Sequence, residues 1–197
     1  MRGRIGSAFM ALGLLLLLAA VALLVYNKWD DYRAGRSAAE IQAALESAAA
    51  ENETSRSTEQ VGDLLETIEI DGYEYIGTLT IPTLELELPI MEEWSYPGLK
   101  IAPGRYTGSI WTDDLVICGH NYTWHFGNLK YLEAGDGLSF TDVNGNVLQY
   151  QVEEVIILQP TDVEEMISQA SGEWDLTLFT CTIGGQTRVT VRCSRTA

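Results

Sequence analysis

Short apolar runs separated by turn residues occupy the sequence from about residue 70 onward, and this pattern limits the choice of fold more than any other feature. Several runs alternate apolar with polar side chains, as LELEL does at residues 84–88, which is typical of a strand with one face in water. Asn144-Gly145 is a signal for a tight hairpin between two runs. The runs that we interpret as strands are residues 74–81, 84–91, 114–120, 137–142, 147–158, 175–181 and 188–193.

Helical patterns in the same region are few and short, around residues 128–133 and 162–170, with Thr161 or Asp162 as a cap for the second. Many short strands with turns at this spacing indicate an antiparallel barrel or a sandwich. We therefore predict an all-β domain with a few short helices.

The N-terminal segment is apolar, since residues 5–26 contain no charged side chain and follow Arg2 and Arg4. A run of about 20 apolar residues is long enough to span a bilayer as a helix. A cleaved signal peptide with its small-residue site at 20–22 is the alternative, but the apolar run continues past Ala22. We expect one transmembrane anchor, with residues 1–4 in the cytoplasm and the folded domain outside.

The segment between the anchor and the strands, residues 27–69, has a different composition. Its first part is rich in alanine and glutamate, which favour a helix, but a face made mostly of alanine buries little. The sequence ENETSRSTEQ at residues 51–60 has almost nothing to bury and is typical of a flexible linker. We predict a stalk here and a folded domain over residues 70–197.

Charge and cysteine content exclude two classes of protein. The formal net charge of −16 repels phosphate backbones, so we expect no nucleic-acid partner. The 3 cysteines, Cys118, Cys181 and Cys193, are odd in number and widely spaced, which is not a disulfide framework. At least one thiol is therefore left unpaired.

Residues with complementary chemistry stand at the ends of predicted strands. Cys181 ends the run DLTLFTC, Arg188 begins the next strand across the turn IGGQT, and His120 follows Gly119 at the end of DLVICGH. Strand ends that are distant in sequence meet at one rim of a barrel. A cysteine, a histidine and an arginine gathered there would supply a nucleophile, a proton donor and an anion stabiliser.

These motifs resemble the sortase family. The resemblance rests on TLFTC at residues 177–181, on GHN at residues 119–121, and on Arg188 at the start of the following strand. It covers about residues 73–194 and includes GSIW before the histidine strand and GDGLSF after it. It implies a closed antiparallel barrel of about eight strands, of the class B or class D type without the lid of pilin-polymerising members.

Sortases are membrane-anchored cysteine transpeptidases of Gram-positive bacteria, and the resemblance implies the same activity here. Cys181 would attack the threonine carbonyl of an LPXTG-like sorting signal in a surface protein and form a thioacyl enzyme. His120 would protonate the departing amine and later deprotonate the acceptor, an amine of peptidoglycan or of another protein. Arg188 would stabilise the oxyanion. The resemblance also implies a single-pass protein of the cell membrane with its catalytic domain outside and no cofactor.

Several neighbouring residues have competing interpretations. Thr180 and Trp124 are candidate substrate-binding residues, and Thr180 would help to shape the site. His125 is more typical of a packing histidine. Arg192 competes with Arg188 because both lie on one face of a strand, but Arg188 is nearer the turn.

The remaining candidates are inert or weak. Cys118 lies in the middle of a strand and is interpreted as core, while Cys193 is left unassigned. A zinc set of Cys118, His120, His125 and Cys181 lacks the usual ligand spacing, and we predict no metal site. The acidic residues Glu153, Glu154, Glu164 and Glu165 are interpreted as solvated surface.

Two other functions stay open on the sequence alone. The domain could be a catalytically silent β-domain on a stalk that binds a surface partner, or a cysteine peptidase that uses water as its acceptor. An enzyme of either kind needs Cys181 accessible and reactive, whereas a binding domain tolerates its loss.

Overall fold

The computed structural model describes residues 2–55, 66–167 and 174–196, which divide into two compact units, Met1–Arg33 and Ala34–Ala197. A long helix, α1 (Arg2–Ser55), begins in the first unit and ends in the second. In its first part the large apolar side chains from Phe9 to Val25 are exposed. Within the described ranges, α1 is the helix that is long and apolar enough to cross a membrane, judged by length and composition.

The second unit contains the strands. They are β1 (Ile68–Ile70), β2 (Tyr73–Ile81), β3 (Leu86–Met91), β4 (Gly104–Thr107), β5 (Leu115–Gly119), β6 (Gly137–Asp142), β7 (Val147–Leu158), β8 (Leu176–Cys181) and β9 (Arg188–Arg195). A short helix, α2 (Val163–Ile167), lies between β7 and β8. Single 3-10 turns occur at Pro82–Leu84, Gly98–Lys100 and Leu129–Tyr131.

The strands β2 to β9 form a closed barrel, as predicted. The order is β2-β3-β4-β5-β8-β9-β7-β6, and β6 pairs again with β2, while β1 adds to the edge of β2. At the point where β2 meets β6, Gly77, at φ +153°, lies at a register shift of β2. A Cβ atom there would be 2.1 Å from the carbonyl oxygen of Thr141, so only glycine allows β6 to approach.

The barrel is mostly antiparallel, but two pairs of strands are parallel. β3 pairs with β4 through Met91 and Gly104, and β5 runs parallel to β8 over the whole length of β5. Parallel neighbours need a long crossover connection, and here β6, β7 and α2 supply it between β5 and β8. The prediction of an antiparallel barrel is therefore correct for most strand pairs and misses these two.

Alternation along the strands separates an inner from an outer face. The inward side chains of β5, β8 and β9 belong to one apolar core: Leu115, Ile117, Leu176, Leu178, Val189, Val191 and Cys193. Because successive residues of a strand point to opposite faces, Cys118, Cys181 and Arg188 lie on the outer face. The candidate reactive side chains therefore lie on the outer face of strands whose inner face forms the packed core.

The second half of α1 is more buried than its alanine-rich composition led us to expect. Ala34, Ala38, Ile41 and Leu45 are all buried, and they follow one another at helical spacing. Ile41 and Leu45 belong to an apolar cluster with Tyr75 and residues of the strand ends. Small side chains allow the helix backbone to approach the barrel closely, which the sequence pattern alone did not indicate.

The predicted elements match the structure closely in places. β6 and β7 have the predicted bounds, whereas β1 and β4 were missed because each is too short to show alternation. The helix predicted around residues 128–133 is only a 3-10 turn, Leu129–Tyr131. The helix predicted over residues 162–170 is α2, and residues 168–170 lie outside the described part. The division into anchor, stalk and barrel domain stays a prediction.

Candidate active site

The strand register brings the ends of β5, β8 and β9 together. Gly119 pairs with Thr180 at the end of the parallel β5–β8 ladder, and Cys181 pairs with Arg188 in the antiparallel β8–β9 ladder. His120 directly follows Gly119, the last residue of β5. Adjacent strands are about 5 Å apart. Cys181 and Arg188 therefore lie side by side, and His120 follows the end of the strand on the other side of β8.

Thr180 holds two of these strands in place. Its hydroxyl donates a hydrogen bond of 2.8 Å to the carbonyl oxygen of Gly119, and its side chain is buried on the inner face. The bond joins the residue before Cys181 to the residue before His120. Thr180 thus joins the strands that precede His120 and Cys181, and its role in shaping a substrate site stays a prediction, as does its direct contact with a substrate.

The three cysteines differ in their environments. Cys118 and Cys193 are buried, and Cys181 is half-buried at the end of its strand. Burial raises the pKa of Cys118 to about 12 and also raises the pKa of Cys193. Both buried groups are therefore neutral thiols at neutral pH. Cys181 is the cysteine that a molecule in solution can reach.

Arg188 is held by the turn between β8 and β9. Its Nη1 donates to the carbonyl oxygens of Gly185 and Thr187, each at 3.1 Å. The turn needs Gly184 and Gly185, which have φ of +86° and +73°. Both hydrogen bonds come from Nη1, and a guanidinium carries five N–H donors, so donors remain that can be directed at an oxygen near Cys181.

Arg192 lies on the same face of β9, but its guanidinium binds other groups. Its Nη1 donates to Glu154 at 2.6 Å, and its Nη2 donates to the carbonyl oxygen of Glu165 at 2.9 Å. Its guanidinium also lies 3.9 Å from the centre of the Trp174 ring. These contacts occupy Arg192 at a distance from Cys181, which favours Arg188 as the arginine of the site. They also show Glu154 in an ion pair, which the sequence did not predict.

The loop after β5, residues 121–128, is named here the histidine loop. The N–H groups of His125 and Gly127 donate to the carbonyl oxygen of Tyr122 at 3.0 and 2.9 Å, and the N–H of Phe126 donates to the carbonyl oxygen of His120. The ring of Tyr122 meets the ring of His120 at 5.2 Å between centres. The loop is therefore a compact turn built around His120.

The two other candidates in the histidine loop have opposite environments. His125 is completely buried, which agrees with its interpretation as a packing histidine. Trp124 is exposed over about half of its surface, at 52%. Contact of Trp124 with a substrate stays a prediction. In the residues that the structure describes, no group of three or more His, Cys, Asp or Glu is arranged to hold a metal ion.

A row of aromatic rings beside Cys181 was missed in the sequence. Phe179 lies two residues before Cys181 on the outer face, and its ring meets Tyr106 of β4 edge-on, with 5.3 Å between centres. Tyr106 stacks on Trp94 at 5.8 Å, and Trp94 meets Tyr96 at 5.5 Å. The sequence did offer one signal, because Phe179 and Cys181 are two residues apart and therefore lie on the same face of the strand. The partners come from segments whose proximity only the fold reveals.

Comparison with known proteins gives a single family. The family model described as Sortase domain matches residues 79–196. No curated protein matches the sequence. Among solved structures, sortase C1 of Streptococcus suis is 26% identical, covers 64% of this chain and 74% of its own, and has a TM-score of 0.54.

Two further solved structures extend the comparison. Sortase C1 of Streptococcus agalactiae is 26% identical, with 66% of this chain and 71% of its own covered and a TM-score of 0.56. A sortase D5 transpeptidase of Clostridium perfringens is 19% identical, with 84% of this chain and 99% of its own covered and a TM-score of 0.60, a likeness of fold. Class C and class D structures are thus both similar, and the class of this chain stays a prediction.

Proposed function

Since this chain belongs to the sortase family, whose members are cysteine transpeptidases, we propose that it is itself a transpeptidase with Cys181 as nucleophile. The substrate would be a surface protein with an LPXTG-like signal, cleaved after the threonine. The acyl group would pass to an amine of the cell wall or of another surface protein. The observation that supports the proposal is the strand register, which pairs Cys181 with Arg188 and pairs Gly119, the residue before His120, with Thr180, the residue before Cys181.

In the first half of the reaction, the Cys181 thiolate adds to the carbonyl carbon of the threonine. The negative charge then moves to the carbonyl oxygen, where an N–H donor of Arg188 stabilises it. As the tetrahedral intermediate collapses, the C–N bond breaks and His120 gives its proton to the departing amine. The products of this half are a thioester on Cys181 and a released peptide amine.

In the second half, an acceptor amine adds to the thioester carbonyl, and the now neutral His120 takes its proton. The C–S bond then breaks, which forms the new amide and restores the Cys181 thiolate and the protonated imidazole. The permanent charge of Arg188 suits both halves, because a guanidinium stays protonated at every physiological pH. Water in place of the amine would give a carboxylic acid, the outcome of a peptidase.

We also propose that α1 anchors the protein in the cell membrane with the barrel outside. The exposed apolar side chains from Phe9 to Val25 support this, because such a surface is unfavourable in water and favourable in lipid. Protease treatment of intact cells that express a C-terminally tagged chain tests the orientation. Removal of the tag is expected, and a tag protected until the cells are lysed would contradict it.

The decisive experiment for the reaction uses the full chain in detergent with a panel of LPXTG-variant peptides and hydroxylamine as the acceptor. Mass spectrometry would follow peptide cleaved after threonine, a thioacyl adduct on Cys181, and the hydroxamate product. Cys181→Ala is the test variant, and Cys118→Ala is the matched control with a thiol removed from the same outer face.

Three results are distinguishable. Hydroxamate that is absent in Cys181→Ala and retained in Cys118→Ala establishes the transfer reaction. The adduct with only carboxylate product indicates a peptidase. No adduct from any peptide, with a folded chain whose Cys181 also resists iodoacetamide, indicates a silent binding domain.

A further inference from the structure

The second half of α1 packs on the barrel along one face of the helix. Ala34, Ala38, Ile41, Gln42 and Leu45 are buried, and their spacing places them on a single side. The hydroxyl of Thr78 on β2 donates to the side-chain oxygen of Gln42 at 3.1 Å, which fixes the register of the helix along the barrel. This part of α1 is therefore a defined element of the folded unit Ala34–Ala197.

Gly35 lies at the point where this helix meets the histidine loop. A Cβ atom on Gly35 would lie 2.7 Å from Cγ of Trp124, 2.8 Å from its Cβ and 2.9 Å from its Cδ1. Carbon atoms in contact are separated by about 3.5–4.0 Å. The atoms concerned are those nearest the Trp124 backbone, so rotation of the outer indole does not relieve the clash. Only glycine allows Trp124 to rest directly on the helix.

Trp124 is connected to His120 by a short, internally bonded path. It lies between Tyr122, whose carbonyl oxygen accepts hydrogen bonds from the next turn, and Phe126, whose N–H donates to the carbonyl oxygen of His120 at 3.2 Å. Tyr122 also packs against the His120 ring. A displacement of the Trp124 backbone therefore displaces the groups that set the position of the imidazole.

We propose that Gly35 is a positioning residue for the transfer reaction: by seating Trp124 on α1, it fixes the histidine loop and with it the imidazole of His120 relative to Cys181. This inference rests on the proposed function. It gives the segment after the membrane-spanning residues a part in the chemistry, in addition to that of a spacer.

The preference for glycine here runs against the needs of the helix itself. Glycine is less favourable than alanine in the interior of a helix. A larger residue at Gly35 would therefore favour the helix while it obstructs Trp124. Loss of activity in such a variant would consequently reflect the position of the histidine loop, because the helix itself would be strengthened.

The experiment compares Gly35→Leu with Ala39→Leu in the full chain in detergent. Ala39 is exposed, one turn further along the same helix, so it receives the same side chain at a position that faces solvent. We expect kcat for hydroxamate formation to fall about tenfold to a hundredfold in Gly35→Leu, the scale for a misplaced catalytic group. The alkylation rate of Cys181 by iodoacetamide is expected to be unchanged, since β8 carries the thiol.

A second readout does not depend on activity. The chain has 2 histidines, so a spectrum of histidine-labelled protein contains one ring signal from His120 and one from the buried His125. Gly35→Leu is expected to move the His120 ring signal, and Ala39→Leu to leave it in place. Gly35→Ala, with a smaller group, should give the same change to a lesser degree if the leucine variant folds poorly.

The contact itself is tested by removing the whole Trp124 side chain, because its Cβ atom is one of the atoms that clash. In the Gly35→Leu, Trp124→Gly double variant the clash is gone, and kcat should return to that of Trp124→Gly alone. Equal kcat values in Gly35→Leu and Ala39→Leu, or an unmoved His120 signal, would overturn the inference. If the unmodified chain transfers no peptide, the proposed function fails separately, and the histidine spectra still decide whether Gly35 positions His120.

Discussion

Arg188 and Arg192 lie on the same outer face of β9, but their surroundings differ. Arg188 stands opposite Cys181, and both of its hydrogen bonds go to carbonyl oxygens of its own turn. Arg192 has a carboxylate, a carbonyl oxygen and an aromatic ring around one guanidinium. The sequence shows two arginines on one strand, and only their contacts distinguish them. Arg192 connects separate segments of the fold, whereas Arg188 keeps N–H donors for a group near Cys181.

The largest effect is expected at the thiol that Arg188 faces. Replacing Cys181 by alanine removes the atom that forms the acyl enzyme, and loss of a nucleophile costs roughly 10⁴-fold or more in kcat. The variant should unfold at an unchanged temperature, because Cys181 is only half-buried. Turnover of an LPXTG-type peptide, with product quantified by mass spectrometry, checks this. Activity within tenfold of the unmodified chain would remove Cys181 from the mechanism.

Arg188→Ala is expected to lower kcat by roughly 10²-fold, the cost of losing a donor to a developing oxyanion. Stability should change little, because the two hydrogen bonds of Arg188 lie at the protein surface. Arg188→Lys keeps the charge and loses the planar fork, so it should recover only part of the rate. Steady-state kinetics beside thermal unfolding separates the two effects. An unchanged kcat in Arg188→Ala would show that Arg188 has no catalytic role to distinguish it from Arg192.

Arg192→Ala should do the reverse. Its side chain is 11% exposed, and removal leaves the Glu154 carboxylate and the carbonyl oxygen of Glu165 without their donor. We expect the free energy of unfolding to fall by roughly 1–3 kcal/mol, below the full cost of a buried pair since Glu154 is partly solvated. Activity per folded molecule should stay within about twofold. Urea unfolding followed by tryptophan fluorescence measures the loss of stability. A variant that is stable but inactive would assign the catalytic role to Arg192 and the structural role to Arg188.

The smallest effect concerns Cys118, on the outer face of β5. Its ordinary pKa is 9.0, and burial raises the pKa to about 12 in the folded chain. The unfolded chain therefore loses this proton first as the pH rises, so this contribution to stability is complete below pH 9 and is lost toward pH 12. Cys118→Ala should reduce the fall in unfolding free energy between pH 8 and 10 by about 1 kcal/mol. Urea titrations at the two pH values check it, with Cys181→Ala as the control.

The candidate site residues could be proposed from the sequence because they stand at or beside the ends of recognisable strands. The runs that became β5, β8 and β9 are apolar and alternating, and the glycines at residues 184 and 185 mark the turn before Arg188. Ends of strands in one barrel can meet, so a cysteine, a histidine and an arginine at such ends form a hypothesis without a structure. The sequence could also indicate that Cys118 is buried, whereas its position on the outer face of β5 follows from the structure.

The parallel pairing of β5 with β8 could not be predicted, because hydrogen-bond partners distant in the chain leave no local pattern. The contacts of Arg192 could not be predicted for the same reason, since Glu154, Glu165 and Trp174 lie in separate segments of the chain. The docking face of α1 was underestimated because alanines bury little surface each. The importance of Gly35 could not be predicted from the sequence, because it depends on the contact with Trp124 in the folded chain.

The hydrogen bond from Thr180 to Gly119 joins residues that are 61 positions apart, and this separation has a consequence for how the protein is made. The proposed nucleophile and its proposed acid–base partner lie at the ends of β8 and β5, which are separated in the chain by β6 and β7. Contacts of such long range are slow to form. A nascent chain in which β8 has not yet paired with β5 therefore carries Cys181 and His120 apart from each other. The acyl-transfer centre that we propose forms only when the barrel is complete.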